Sequence, residues 1–346
     1  MSNVTNKIFI DKMGGVTADD YIGIAGELFY DAADGLLRLS DGSTSGGGVI
    51  GGGGGDFAPA AYGTELSLGT GAGQTNQGED AIALGHNAGN LNQWDGSIAI
   101  GSYAGEIGRN PENGFGPETI AIGVQAGQNE QRYHAIAIGT EAGNLNQQWD
   151  AVAIGRSAGN DSQNHQAVAI GHSAGSIGQG LQTVAVGSYA GNFAQQQHAI
   201  AIGSNAGNEL QGTAAVAIGE EAGNYQQEFR AVAIGRWAGA QSQGSQSVAI
   251  GALAGRYIQG QNSIAIGRHA GLDNQGTNSI AIGNMAAESN QANNSIVINA
   301  TGGTLESVGE GTMVVQSLRQ VSSVPSGFLP VYWDPTTGEM VVITGV

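Results

Sequence analysis

The chain has 346 residues, with 61 glycines, no cysteine and 12% charged residues. Eleven Lys and Arg against 29 Asp and Glu give a net charge of −18, which argues against a nucleic-acid partner and against an anionic membrane surface. Without cysteine, disulfides and thiolate-bound zinc are excluded.

Met1 to Gly15 carries no apolar core of a signal peptide, and no run of about 18 apolar residues is present for a membrane-spanning helix. Residues 26–39 read as a β-hairpin: two apolar alternating runs flank a turn ending in Asp34-Gly35. Residues 1–45 are therefore expected to form a small attachment module. Eight glycines between Gly46 and Gly55 then predict a hinge over 46–56.

From 57 to 299 a repeat dominates. A glycine closing a motif such as Ser97-Ile98-Ala99-Ile100-Gly101 falls at 69, 85, 101, 123 and then every 16 residues to 283. A fixed period of this size is a solenoid signature. With that glycine as offset zero, offsets −3 and −1 are Ile, Val or Leu, and offset −2 is Ala in all copies but the one with Ser67. Residues that alternate in this way form a short strand with one bulky face and one small face. The bulky face is expected to be buried, so Ile202 is expected to tolerate no charge. Offset +3 is always Ala, and offset +4 is Gly except at Ala287, so glycines at zero and +4 are expected at two tight corners. Offset +8 is Gln in every copy except Arg109. Stacked coils place these amides about 4.8 Å apart, which predicts a side-chain ladder. Offset +6 is apolar or aromatic in half the copies, as at Leu91, Phe193 and Tyr225, and is expected to be half-buried. Offsets +1, +2 and +10 to +12 vary freely and are expected to face solvent.

One step, from 101 to 123, is 22 residues long, which predicts an outward loop with Phe115 near its tip. Residues 294–299 are a decayed last copy. Residues 300–346 are expected to cap the solenoid, and 329–342 repeat the hairpin plan of the N-terminus.

Motifs for chemistry are sparse. The six histidines lie at mixed offsets and predict no metal cluster, the glycines match no phosphate-binding fingerprint, and no nucleophile motif is present. No cofactor and no catalytic residue is expected. The surface aromatics Trp94, Tyr103, Phe115, Tyr133, Trp149, Tyr189, Phe229 and Trp237 are the candidate binding residues, because rings on a rigid rod can stack on sugars or bury at a protein contact. Packing between copies of the chain would use the same rings.

The motifs Asn262-Ser263-Ile264-Ala265-Ile266-Gly267 and Asn278-Ser279-Ile280-Ala281-Ile282-Gly283 resemble the YadA-like head repeats of trimeric autotransporter adhesins. The resemblance covers 66–299 and implies an all-β fold: a left-handed parallel β-roll of 16-residue coils, obligately homotrimeric, here with β-hairpin end modules. The period is a residue or two longer than in that family, and its signal peptide, coiled-coil stalk and membrane anchor are not seen. Residues 26–48 and 332–339 resemble segments of phage and large-virus fibre proteins, the first of them from phages of marine cyanobacteria. The combination implies a virion fibre that joins other virion proteins through its N-terminal module and touches a host-surface glycan or protein, with no membrane insertion. Alternatives from the same residues are a bacterial surface adhesin head, a tail spike that hydrolyses polysaccharide and, remotely, an ice-binding solenoid.

Overall fold

The computed structural model describes residues 65–107 and 118–316 in full, together with Ser40, Ser43 and five short strands outside them: Leu28–Asp31, Leu36–Leu39, Gly48–Val49, Val331–Asp334 and Glu339–Val342. The repeat tract is an all-β solenoid. Its first sheet has sixteen parallel strands, from Leu66–Leu68 to Met313–Gln316, each from one coil and each in register with the next. Ile98 pairs with Ile120 across the 22-residue step, so the insertion leaves the stacking unshifted. At about 4.8 Å per strand the rod is about 72 Å long.

One coil shows why the sequence folds this way. Val152-Ala153-Ile154 forms the strand, and Gly155 turns the corner at φ +123°. A Cβ on the equivalent Gly139 would lie 2.8 Å from the carbonyl carbon of Gly155 in the next coil, so stacking itself requires glycine there. Gly143, at offset +4, has φ +52°, and a Cβ would meet Gln147 Oε1 at 2.6 Å. The chain then runs back through Leu145 and Gln147, which belong to a second, less regular ladder. This ladder is carried by isolated bridges such as Leu145–Asp161 and by a four-stranded sheet from Tyr225–Gln227 to Asp273–Gln275. Backbone N–H groups point to neighbouring coils, as in Gly143 N to Ala158 O at 2.9 Å and Gly139 N to Ile122 O at 2.7 Å.

The interior corrects the expected faces. Alanine at offsets −2 and +3 is the core: Ala153, Ala158, Ala201 and Ala206 are fully buried. The bulky residues point outward, and Ile202 is 39% exposed. The coil is too thin for two branched layers, because the glutamine of the return strand already fills the space opposite the alanines. An alanine methyl contributes only about 0.8 kcal/mol on burial, so hydrogen bonds summed over stacked coils carry much of the stability.

The glutamine ladder is present. Gln211 is fully buried; its Nε2 donates to Ile200 O (2.8 Å) and to Gln227 Oε1 (3.0 Å), while Gln195 Nε2 donates to its Oε1 (3.0 Å). A cavity of about 20 Å³, room for one water, is lined by Gln93 and Gln131.

Met313–Gln316 adds a parallel strand on Ile296–Asn299, and Gly48–Val49 pairs antiparallel with Arg38–Leu39 of the N-terminal hairpin. Offset +6 is more open than half-buried in places, with Phe193 46% exposed. The expected hairpins are formed at both ends, Leu28–Asp31 with Leu36–Leu39 and Val331–Asp334 with Glu339–Val342. The remainder of the hinge and the insertion tip lie outside the described residues.

Candidate binding surface

Most coils present side chains at three positions in the left-handed region. These are offsets +2, +7 and +11, for example Glu141 (φ 57°), Asn146 (φ 54°) and Asp150 (φ 56°). Asparagine tolerates this region best, and Asn76, Asn92 and Asn146 occupy the second position. Elsewhere Tyr103, Tyr189, Trp237 and Leu253 are held there, all at offset +2. The backbone thus turns outward at fixed points, and the side chains next to those points make the surface.

At offset +5 a second ladder exists that the sequence reading missed. Asn144 Nδ2 donates to Gln125 O at 2.9 Å, Asn160 to Glu141 O at 3.0 Å and Asn192 to Ser173 O at 2.8 Å. Each ties a corner to the coil before it. The recurrence of Asn at 144, 160, 192, 208 and 224 was the available signal. Where the pattern lapses, Arg256 stands at offset +5 and its guanidinium lies 4.1 Å from the Trp237 ring centroid. Arg236 lies on the same ring at 5.2 Å, and the indole Nε1 is buried without a hydrogen-bond acceptor. Trp237 is thus covered by cations rather than open to a ligand.

The other predicted aromatics fall into three settings. Tyr103 and Tyr189 each meet a histidine of the preceding coil edge to face, His86 at 5.0 Å and His172 at 4.9 Å. Tyr133, Trp149 and His165 form a continuous column at offset +10, with centroids 5.6 and 5.2 Å apart. His134 beside this column is 3.1 Å from Asp150 and 3.8 Å from Glu118. Trp94 and Phe229 each border a shallow groove. Phe115 lies outside the described residues. The structure therefore does not gather these residues into one site; it spreads them along the rod.

Among the described residues no group of three or more His, Asp or Glu is placed to hold a metal ion, and no helix is long and apolar enough to cross a membrane. One carboxyl stands out electrostatically. Burial pushes Glu306 above the usual carboxylate range; the backbone N–H of Ser289 opposes this and neighbouring Glu288 adds to it. It sits in the last coil, away from the aromatic residues. No protein-family model, curated protein or solved structure matches the chain.

Proposed function

We propose that the chain is a homotrimeric, non-enzymatic fibre of a virion, a left-handed β-roll that displays an adhesive surface. The observation that supports this best is the outward Ile/Val/Leu face. Leu66, Ile170, Ile202, Ile250 and Ile282 stay 36–39% exposed from one end of the sheet to the other. A contiguous apolar surface of this length marks an interface. Its partner must repeat with the same 16-residue period over the whole rod, and a parallel copy of the chain does so by construction. Three copies follow the resemblance of the Ser-Ile-Ala-Ile-Gly repeats to adhesin heads. In this reading the N-terminal hairpin module joins the particle and the rod projects from it. Electron microscopy of the source particle with a label on the rod tests the placement. A projecting fibre supports it, and a label found only on host-cell surfaces overturns it in favour of a cellular adhesin.

A further inference from the structure

We propose that the rod carries two carbohydrate-binding grooves, centred on Trp94 and Phe229, that take neutral glycans. The inference rests on the adhesive reading above and names its ligand class.

The grooves share a plan with ring and carboxylate exchanged: Trp94 and Glu228 stand at offset +9, Asp95 and Phe229 at offset +10. The first is lined by Asn76, Gly78, Asn92, Trp94 and Asp95. The second is lined by Leu210, Gly212, Gln226, Glu228, Phe229 and Ser245, with Ser242 beside them. Both lie at offsets +7 to +10, in the turn that follows the glutamine. The floor is a glycine at offset +9, where in these two coils the neighbouring backbone leaves no room for a side chain, although Trp94 and Glu228 fill the same offset one coil on. A Cβ at Gly212 would sit 2.6 Å from the carbonyl carbon of Glu228, and one at Gly78 would collide with the backbone of Asp95. Glycine also occupies offset +9 at 180, 244, 260 and 276. Only after Gly78 and Gly212 does the next coil place an aromatic ring and a carboxylate side by side, Trp94-Asp95 and Glu228-Phe229.

In both grooves the carboxylate is fixed by a neighbouring coil. Glu79 N donates to Asp95 Oδ1 at 3.0 Å, and Ser245 N donates to Glu228 Oε2 at 3.0 Å, joined by the Ser245 hydroxyl at 2.7 Å. The second oxygen of each, Asp95 Oδ2 and Glu228 Oε1, has no partner among the described residues. In both, the polar side chains at offset +7 are linked across coils, Asn76 Nδ2 to Asn92 Oδ1 at 2.9 Å and Ser242 Oγ to Gln226 Oε1 at 3.3 Å.

This composition suits a sugar ring. The negative face of an aromatic ring attracts the weakly positive C–H face of a pyranose. An oriented, unpaired carboxylate oxygen accepts charge-assisted hydrogen bonds from hydroxyls, and the amides supply further donors and acceptors. A free carboxylate in a chain of net charge −18 disfavours uronic or sulfated glycans. A single guanidinium, Arg230 at 4.7 Å from the Phe229 centroid, stacks on that ring and adds donors at the rim of the second groove, while Phe229, unlike the doubly covered Trp237, stays 43% exposed. Eight coils, about 38 Å, separate the grooves, so one long polysaccharide can engage both. Weak single contacts then combine into useful avidity.

The test is binding of the full-length protein to immobilised dextran, mannan and β-1,3-glucan as neutral probes, with heparin and polygalacturonate as anionic ones. Light scattering on the same samples gives the oligomeric state. At least one neutral probe is expected to bind. The double variant Trp94→Ala/Phe229→Ala should weaken that binding at least 10-fold, within the range avidity supplies. Asp95→Asn and Glu228→Gln, which change no packing, should each weaken it by a smaller factor. Val124→Ala, exposed and outside the grooves, should leave it unchanged. Failure of all neutral probes, preference for the anionic ones, or equal binding by the double variant overturns the proposal. A trimer that binds no glycan removes the grooves and keeps the fibre; a monomer that binds keeps the grooves and removes the trimer.

Discussion

Replacing Gln211 by Leu tests whether the amide ladder holds the coils together or only fills space. Gln211 is fully buried and joins four groups: Ile200 O at 2.8 Å, Gln227 Oε1 at 3.0 Å, Ala215 O at 3.4 Å and, as acceptor, Gln195 Nε2 at 3.0 Å. Each such bond contributes about 0.5–1.5 kcal/mol net. Gln227 Oε1 would be left facing a methyl group, which costs about 1–3 kcal/mol on its own. Gln195 Nε2 keeps Val184 O and Ala199 O, so little is lost on that side. Leucine returns part of the cost as apolar burial, which leaves a net destabilisation of about 2–4 kcal/mol. Because solenoid coils depend on their nearest neighbours, the loss should be local. Hydrogen exchange should show lost protection around Gly203 and Gly219 and native protection around Gly139, with a lower melting temperature. A variant that melts like the parent, with unchanged protection at those coils, would show that the ladder contributes shape and not hydrogen bonding.

Ala201→Asp should fail to fold, because the site is fully buried between alanines and an unpaired carboxylate there costs several kcal/mol; Ile202→Asp should keep the β spectrum and lose self-association. Circular dichroism with light scattering separates the two, and equal folding defects would mean the faces are misplaced. Ile258 is a β-branched residue at φ +51° and is 58% exposed, so Ile258→Asn should raise stability by about 1 kcal/mol; a fall in melting temperature would contradict the strain argument. Glu306 has a folded pKa raised above 4.5, so the native state holds its proton longer than the unfolded chain. Its contribution to stability is therefore full at low pH and is lost as pH rises through the raised value. Glu306→Gln should remove that loss from the pH dependence of melting in the last coil, and an unchanged pH profile would refute the assignment.

The coil was legible because its glycines cannot be exchanged. Stacking brings Gly139 against Gly155, and no other residue fits, so the 16-residue period survives in the sequence. Gln147 and its equivalents were legible for the same reason, since each must meet an identical neighbour. Which strand face looked inward was not legible. Alternation at Val152-Ala153-Ile154 separates two faces but does not say how wide the interior is, and only the return strand with Gln147 sets that width. Offset +5 was overlooked because Asn144 and Asn160 share their column with Gln128, Ser176 and Arg256. The aromatics were found as single residues. That Gly78 and Gly212 hollow the surface beside Trp94 and Phe229 depends on contact between successive coils, which a position-by-position reading of one repeat does not contain.

In the proposed fibre, copies of the same chain cover the outward Ile/Val/Leu face that is exposed along the whole sheet. Sedimentation equilibrium of the full chain at micromolar concentration should give a particle three times the 34.8 kDa chain mass, reduced to one chain by Ile202→Asp. A parent protein that sediments as a single folded chain would contradict this assembly.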